Sequence, residues 1–202
     1  MRFLLLIVFV CSLISCSTER QNSPDLSGIS SDPEIIRFEQ LFYNSSETEL
    51  PDLKARFPYL FPQGNADSVW IRKINDEDEQ FLFSETQKQY AEFDEQKNRL
   101  ESLFTHMKYY FPAFEEPKVI TMVTQVDYNN KVIYADSLLF VGLDLFLGED
   151  NEIYADFPAY VKQNYHKDHL SVDVADALKR PLLRPSADNS YVSRMVQEGK
   201  RL

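Results

Sequence analysis

The chain has 202 residues, 44% of them hydrophobic, and a formal net charge of −11 at pH 7. This length and apolar fraction suffice for one ordinary hydrophobic core, and no internal segment is rich in proline and glycine, so we expect a single domain. The negative charge disfavours nucleic acid as a partner, because phosphates require a basic surface, and equally disfavours electrostatic attachment to an anionic bilayer, so no nucleic acid is predicted. The expected partners are proteins or small molecules.

The first residues have the pattern of an export signal. Arg2 precedes an apolar run from Phe3 to Ile14, which is shorter than the roughly 18 to 20 apolar residues of a membrane-spanning helix. The run ends in Leu13-Ile14-Ser15-Cys16, which resembles the lipobox of bacterial lipoproteins. The resemblance implies that residues 1–15 are a signal peptide and that Cys16 becomes the lipid-carrying first residue of the mature protein. The alternative is a plain signal peptide that is cleaved elsewhere.

The segment after the signal is expected to be a flexible tether. Residues 17–33 are mostly small or polar and include too few apolar side chains to support ordered structure. We therefore assign residues 16–31 to the lipidated cysteine and its tether, and residues 32–202 to a single folded domain. Cys11 lies in the signal peptide, so after cleavage Cys16 has no cysteine to pair with and the domain depends on its core alone.

The folded part is predicted to begin with two short helices. Asp32-Pro33-Glu34 has the pattern of a helix start and precedes an apolar period that begins at Ile35. Residues 49–61 predict a second helix that stops at Pro58, followed by a turn at Pro62 and Gly64. The aromatic residues of this segment are interpreted as core; a stacking platform for a ligand, formed by Phe57, Tyr59 and Phe61, is the alternative.

A long helix is the main predicted element. An acidic start at residues 75–79 is followed by apolar residues at steps of three and four, namely Tyr90, Phe93, Leu100, Phe104, Met107 and Phe111, interrupted once by Lys97. The acidic residues favour helix capping over calcium binding, because the alternating ligands and glycine of a calcium loop are missing. We expect one continuous helix, roughly 40 Å or longer, that ends before Pro112.

The following segment predicts a small sheet. Residues 118–126 are rich in β-branched side chains, residues 128–131 suit a turn, and residues 132–135 return as a second strand, which predicts a β-hairpin. The run 138–147 predicts a buried strand that converts to a short helical turn before Gly148. Helices are expected at 157–165 and 172–178, and a last one begins after Asp188 or Ser190. The predicted class is α+β, mostly helical, with the long helix packed on a small sheet that contains the hairpin.

The residues that carry chemistry form no recognised catalytic or metal motif. His166 and His169 have a spacing that suits a shared metal, but no further ligand is evident, so we interpret them as an exposed helix end. His106 is interpreted as structural. The carboxylates near strand ends, Asp127, Asp136, Asp144, Glu149 and Asp150, are interpreted as ordinary solvated turns rather than an acid/base pair. No metal and no cofactor is predicted.

Several segments in the same order resemble the gliding motility lipoprotein GldB family. They are residues 104–112 (FTHMKYYFP), 117–120 (PKVI), 138–148 (LLFVGLDLFLG) and 195–200 (MVQEGK). The resemblance implies a cell-envelope lipoprotein of Bacteroidetes-type bacteria that serves gliding and the associated protein-secretion apparatus. It implies anchoring through Cys16 in the inner or outer membrane, with the domain in the periplasm. Such proteins normally continue further, so we expect the chain to be truncated at its C-terminus.

A fainter resemblance concerns residues 197–201 (QEGKR), which look like the His-Glu-x-x-His helix of zinc metalloproteases. In this alignment Gln197 and Arg201 stand where the two histidines would be, and Glu198 has no metal to act with, since glutamine is a poor zinc ligand and arginine cannot be one. This predicts a zincin-like scaffold with a vestigial site at Gln197, Glu198 and Arg201, next to the run 138–147. An unrelated helix is the alternative.

The leading hypothesis is a non-enzymatic, lipid-anchored component of the gliding machinery. Two alternatives remain open. An envelope hydrolase of peptidase-like fold rests on Glu198 and the nearby acidic residues. A small-molecule-binding lipoprotein rests on the aromatic content and predicts a deep apolar pocket.

Overall fold

The computed structural model describes residues 24–182 and 190–199. Within these ranges helices flank a small sheet, so the predicted α+β class is confirmed. Numbered in chain order, the strands are β1 (Ile35–Arg37), β2 (Lys118–Met122), β3 (Val132–Ala135) and β4 (Leu138–Gly142). The α-helices are α1 (Phe38–Tyr43), α2 (Leu50–Arg56), α3 (Asp67–Ile74), α4 (Glu77–Gln89), α5 (Asp94–Tyr110), α6 (Ala159–Lys162), α7 (Leu170–Leu182) and α8 (Tyr191–Gly199). Short 3-10 helices lie at Pro58–Leu60, Tyr128–Asn130, Leu143–Leu145, Glu152–Tyr154 and Lys167–His169.

The four strands are ordered β1-β2-β4-β3 across the sheet. β1, β2 and β4 run parallel, and β3 runs antiparallel to β4. The predicted hairpin is therefore wrong in its partners, because the hairpin is formed by β3 and β4 and not by β2 and β3. It turns at residues 136–137, where Asp136 has a φ of 54°. β4 lies in the centre because its sequence LLFVG is apolar throughout, whereas the half-exposed pattern of β3 suits an edge.

The sheet separates two hydrophobic clusters, because successive side chains of a strand point to opposite faces. Val119 of β2 belongs to the cluster that contains Leu100 and Phe104 of α5. Ile120, the next residue, belongs to a second cluster with the aromatic side chains of α1. Two apolar layers thus pack on one small sheet.

The aromatic residues after α2 belong to the second cluster. Phe57 and Phe61 are each only 6% exposed, and their rings lie 5.4 Å and 6.0 Å from that of Phe38. Tyr59, in contrast, is 47% exposed. The interpretation of Phe57 and Phe61 as core is confirmed, and the alternative of a stacking platform is wrong.

The predicted long helix is wrong, because it is divided into α4 and α5 at residues 90–93. Tyr90 ends α4 and is 1% exposed, and its hydroxyl donates a hydrogen bond of 2.9 Å to the carbonyl of Phe146. In a continuous helix the Tyr90 carbonyl would accept from the N–H four residues on. Here it accepts from Arg37 Nη2 at 3.0 Å instead. The apolar period continues on both sides of the break and therefore does not reveal it.

The predicted first helix is wrong in its beginning. Ile35 and Ile36 lie in β1, which pairs with β2, and the N–H of Val119 donates to the carbonyl of Glu34 at 2.9 Å. Only residues 38–43 are helical. β-branched side chains favour a strand where a partner strand is available, and this tertiary contact outweighs the local start signal.

Several other local signals agree with the structure. α2 ends before Pro58, and Gly64 has a φ of 96° in the predicted turn. Asp76 caps α4, since its carboxylate accepts from the N–H groups of Asp78 and Glu79 at 3.1 Å. The run 138–147 forms β4 and then a 3-10 turn, as predicted.

The last helices differ from the prediction in their bounds. Of the helix expected at residues 157–165, only α6 is α-helical. α7 begins before Val172 and continues through Pro181. α8 begins after Ser190, whose hydroxyl accepts from the N–H of Ser193 at 3.2 Å, in agreement with the expected cap.

The break between α4 and α5 gives a first testable prediction. Tyr90→Phe removes the buried donor to the Phe146 carbonyl and should lower the free energy of unfolding by about 1 to 3 kcal/mol. Tyr110→Phe is the matched control, because Tyr110 is 60% exposed, and its effect should stay within about 0.5 kcal/mol. Urea denaturation of both variants measures the difference, and equal effects at the two positions would contradict the role of Tyr90.

Candidate functional site

The carboxyl ends of the parallel strands meet at one edge of the sheet, which we call the carboxyl edge. It comprises the residues that follow β1, beginning with Phe38, residues 123–127 after β2, and residues 143–145 after β4. In open sheets of parallel strands, ligands bind in the crevice outside these ends. The carboxyl edge is therefore the part of the molecule where a functional site is expected first.

Asp144 is the most unusual residue at the carboxyl edge. It is fully buried, with 0% exposure. Its carboxylate accepts hydrogen bonds from the N–H of Thr124 at 2.9 Å, the hydroxyl of Thr124 at 3.1 Å and the N–H of Val126 at 2.7 Å. Burial raises the pKa of this carboxyl, an effect that these donors oppose. The interpretation of Asp144 as a solvated turn residue is wrong.

Asp144 fixes residues 123–127, which we call the β2 loop. Within it Gln125 and Val126 have φ angles of 58° and 57°, a conformation that costs a β-branched residue on the order of 1 to 3 kcal/mol. The hydrogen bonds that Asp144 accepts from Thr124 and Val126, the neighbours of Gln125 on both sides, offset this cost. Gly142 permits the arrangement, because a Cβ there would lie 2.8 Å from Cγ2 of Thr124.

A second acidic residue, Glu79, binds the β2 loop from another direction. It is 4% exposed and accepts a hydrogen bond of 2.5 Å from the hydroxyl of Tyr43 and another from the side-chain amide of Gln125. The ammonium of Lys73 lies 2.9 Å from its Oε1. Burial, followed by the Glu79 carboxylate, raises the pKa of Tyr43 far above its ordinary value, so the phenol is a hydrogen-bond donor at neutral pH.

The third buried acidic residue, Glu39, follows β1. It is 1% exposed. Its Oε1 lies 2.6 Å from Nε of Arg37, and its Oε2 accepts a bond of 2.5 Å from the hydroxyl of Thr121. Glu39 and Glu79 thus each have a cationic partner, whereas the donors to Asp144 are neutral. The three carboxylates hold the ends of β1, β2 and β4 in one geometry.

A small cavity of about 130 Å³ lies next to Glu39. It is lined by Phe38, Glu39, Phe42, Tyr43, Leu60, Phe61, Trp70, Lys73, Met122 and Val123. The indole N–H of Trp70 is buried and has no hydrogen-bond partner among the described residues. The aromatic walls pack on one another, with the rings of Phe61 and Trp70 4.9 Å apart. Typical ligand pockets measure about 300 to 1,000 Å³, so this aromatic cavity is smaller than a typical ligand pocket.

The other titratable residues from the sequence lie apart from this edge or in turns. His166 and His169 stand with their ring centroids 6.5 Å apart at a 3-10 helix, and His106 Nδ1 lies 2.7 Å from the carbonyl of Ser102. Asp136 lies at the β3–β4 turn, and Asp127 accepts from the N–H of Asn129 at 3.1 Å. Among residues 24–182 and 190–199, no group of three or more His, Cys, Asp or Glu side chains is placed to hold a metal ion.

Two predicted sites lie outside the described residues. Cys16 and Arg201 belong to the parts of the chain that the structure does not describe, and the side chains of Gln197 and Glu198 are not described either. Lipidation and the vestigial metal site therefore stay predictions, as does the proximity of residues 197–201 to β4. In α8, Tyr191 is 71% and Met195 58% exposed.

Sequence reasoning did not single out Glu39, interpreted Glu79 only as part of the acidic helix start at residues 75–79, and missed the burial of Asp144. For Asp144 a signal existed, because Leu143, Leu145 and Phe146 surround it with apolar residues. An acidic residue in such a run is either exposed, because the strand ends there, or buried, with hydrogen-bond donors around its carboxylate. Which of the two applies to Asp144 depends on the position of the β2 loop, which supplies the donors. Glu39 and Glu79 lie near the starts of helices, where an acidic residue is common and gives no sign that its carboxylate points inward.

The comparison with protein families covers nearly the whole chain. The family model described as gliding motility protein GldB matches residues 19–202. The chain belongs to the GldB family. The matched range includes both hydrophobic clusters and the whole carboxyl edge, so the site described above is part of the GldB domain. No curated protein and no solved structure matches the chain. Within the described ranges, no helix combines the length and the hydropathy needed to cross a membrane.

The strained β2 loop gives a second prediction. At Val126 the glycine variant V126G should be more stable than the alanine variant V126A by about 1 kcal/mol, because only glycine adopts positive φ without cost. The same pair at Val132, in strand β3, is the control, and there glycine should be the less stable by about 0.5 to 1 kcal/mol. Urea denaturation gives all four values. The same order at both positions would show that the loop is not strained at residue 126.

The raised pKa of Asp144 gives a third prediction. The folded state binds this proton more tightly than the unfolded chain, so the contribution of Asp144 to stability is largest below its ordinary pKa of 3.8 and falls as the pH rises through the folded value. Asp144→Asn removes this dependence. The difference in unfolding free energy, wild type minus D144N, should decrease from about pH 4 upward.

The control for this measurement is Asp136→Asn at the exposed β3–β4 turn. Denaturation by urea at a series of pH values gives both differences. A wild-type minus D144N difference that increases with pH would mean that the donors from Thr124 and Val126 outweigh burial.

Proposed function

We propose that this member of the GldB family is a lipid-anchored component of the cell envelope that serves the gliding-motility machinery and its associated secretion apparatus without catalysing a reaction. The observation that carries the proposal is the order of two features in the sequence. The lipobox-like segment ends at Cys16, and the GldB match begins at residue 19. The family match thus begins three residues after the proposed lipid attachment point, within the tether.

Attachment to the membrane follows from the chemistry of the modified cysteine. A single acyl chain binds a bilayer only marginally, whereas a cysteine that carries more than one chain gives stable anchoring. The apolar segment before Cys16 has the pattern of an export signal. We propose that the domain lies in the periplasm, attached to either the inner or the outer membrane. Its partners are protein components of the gliding and secretion apparatus.

The burial and the hydrogen bonds of the three acidic residues support the proposal that the protein is not a catalyst. A general acid or base must reach its substrate. Glu39, Glu79 and Asp144 are each less than 5% exposed, and each carboxylate is engaged by partners of its own. Their arrangement fits a role in fixing the β2 loop better than a role in proton transfer.

The proposal is tested by deletion of the gene in its host and complementation. Deletion should abolish spreading on a surface, and the wild-type gene should restore it. Cys16→Ala should leave the protein without lipid and in the aqueous phase after detergent partition, and spreading should not return. Cys11→Ala is the matched control, because this cysteine lies in the apolar run that is removed, and it should restore both lipid and spreading. Unchanged spreading of the deletion strain would refute the proposal.

The same strain separates this function from that of an envelope hydrolase. Glu198→Gln keeps the size of the side chain and removes the carboxylate that a peptidase-like mechanism needs. It should restore spreading as the wild-type gene does, and the purified protein should contain no stoichiometric zinc. Loss of spreading at a normal protein level, together with bound zinc, would favour the hydrolase.

A further inference from the structure

The end of the tether is fixed along α5. The carbonyl of Ser30 accepts a hydrogen bond of 2.9 Å from Lys108 Nζ, and the hydroxyl of Ser31 donates one of 2.6 Å to Glu116 Oε2. Lys108 and Glu116 also form an ion pair of 2.6 Å with each other. Residues 30–31 therefore lie beside the C-terminal end of α5, and the chain that leads from Cys16 reaches the domain at this place.

An uncharged aromatic segment lies directly next to this point. Residues 109–114 read YYFPAF, follow Lys108 in the chain and contain no charged side chain. Tyr109 is 40% exposed, Tyr110 60% and Phe111 41%. We call residues 109–114, which are the last two residues of α5 and the four that follow it, the aromatic loop. The rings of Tyr109, Tyr110 and Phe111 belong to neither hydrophobic cluster, whereas Phe114 packs on Phe104 of the first cluster.

The topology places the tether and the aromatic loop at the same edge of the sheet. Residues 30–34 lead into the amino end of β1, and the aromatic loop leads, through Pro117, into the amino end of β2. This amino edge is opposite to the carboxyl edge, and β2, with its five residues, separates the two by about 13 to 16 Å. The molecule thus has an edge at which the N-terminal segment reaches the sheet and an edge at which the buried acidic residues hold the β2 loop.

We propose that the amino edge faces the bilayer, with the aromatic loop resting in the headgroup region of the membrane that holds the lipid of Cys16, and that the carboxyl edge points away from it. This inference rests on the lipid attachment proposed above. Residues 16–23 span at most about 28 Å even when fully extended, so the described domain is always held near the bilayer. The chain from residue 24 onward then leads directly to Lys108.

The chemistry of the aromatic loop fits a membrane interface. Tyrosine rings are amphipathic and concentrate at the headgroup level, where the ring is shielded from water and the hydroxyl stays hydrated. Because the chain carries a net charge of −11, the contact depends on aromatic burial and not on attraction to anionic lipids. The lipid keeps the loop at a high effective concentration near the surface, so a contact too weak to bind a free protein suffices to orient a tethered one.

The test measures which edge touches the lipid. Residues 16–202 contain Cys16 as their single cysteine, so a phospholipid maleimide can be attached there and the protein bound to phosphatidylcholine vesicles, with or without bromine on the acyl chains near the headgroups. Tyr110→Trp reports on the amino edge. Tyr128→Trp reports on the carboxyl edge and is the matched control, since Tyr128 is 54% exposed. The emission of Trp70 is measured in the parent protein and subtracted.

We expect brominated lipid to lower the emission of the Tyr110→Trp indole about two-fold or more, and that of the Tyr128→Trp indole by less than about a tenth. Equal quenching at both positions, or none at position 110, would overturn the orientation. Phe111→Trp repeats the measurement at a second position of the aromatic loop, so a local misfolding in one variant does not decide the result. Because the lipid is attached chemically, this outcome is independent of whether cells lipidate Cys16, which the spreading and partition assays decide.

Discussion

The short segment 143–147, directly after β4, is the point on which the rest of the structure depends. The carboxylate of Asp144 holds the β2 loop, and its backbone carbonyl accepts from the hydroxyl of Tyr154 at 2.6 Å. Two further backbone groups of the segment also bond to side chains: the carbonyl of Phe146 accepts from the hydroxyl of Tyr90, and the N–H of Leu147 donates to the hydroxyl of Tyr154. Residues 143–146 are each 0% exposed. A segment this deeply buried must have its polar groups satisfied, and distant parts of the chain supply the partners.

This requirement explains why the predictions from sequence succeeded for local features and failed for others. Asp76 as a helix cap, Pro58 as a helix end and the apolar run of β4 are decided by neighbours in sequence, so a pattern is sufficient. The break at Tyr90 is decided by Arg37 and Phe146, which lie 53 and 56 residues away in the chain. The β3–β4 hairpin depends on which strand is apolar enough for the centre of the sheet. The burial of Asp144 depends on donors about 20 residues earlier.

The buried acidic residues at the carboxyl edge specify a shape more than they add stability. Replacing a buried ion pair by apolar residues of similar volume is often neutral or stabilising, so Arg37–Glu39 and Lys73–Glu79 are weak evidence for a stabilising role. Apolar residues at these positions would not hold Gln125 in its left-handed conformation. The side-chain amide of Gln125 and the N–H groups of Thr124 and Val126 need acceptors, which Glu79 and Asp144 supply. The network therefore selects one conformation of the β2 loop from several that the same core would allow.

The proposed orientation explains how a single, fixed conformation of the β2 loop would be useful. If the domain is held by a lipid on Cys16, as proposed, a tether of small polar residues leaves it free to rotate, and both edges of the sheet would meet the bilayer equally often unless something distinguishes them. The exposed rings of Tyr109, Tyr110 and Phe111 lie at one edge, and the other edge carries the loop whose conformation the acidic residues fix. When the amino edge lies at the lipid surface, the β2 loop, at the opposite edge of the sheet, points away from the bilayer. A rigid loop presented in a constant direction loses less conformational and orientational freedom on contact with a partner than a free one does.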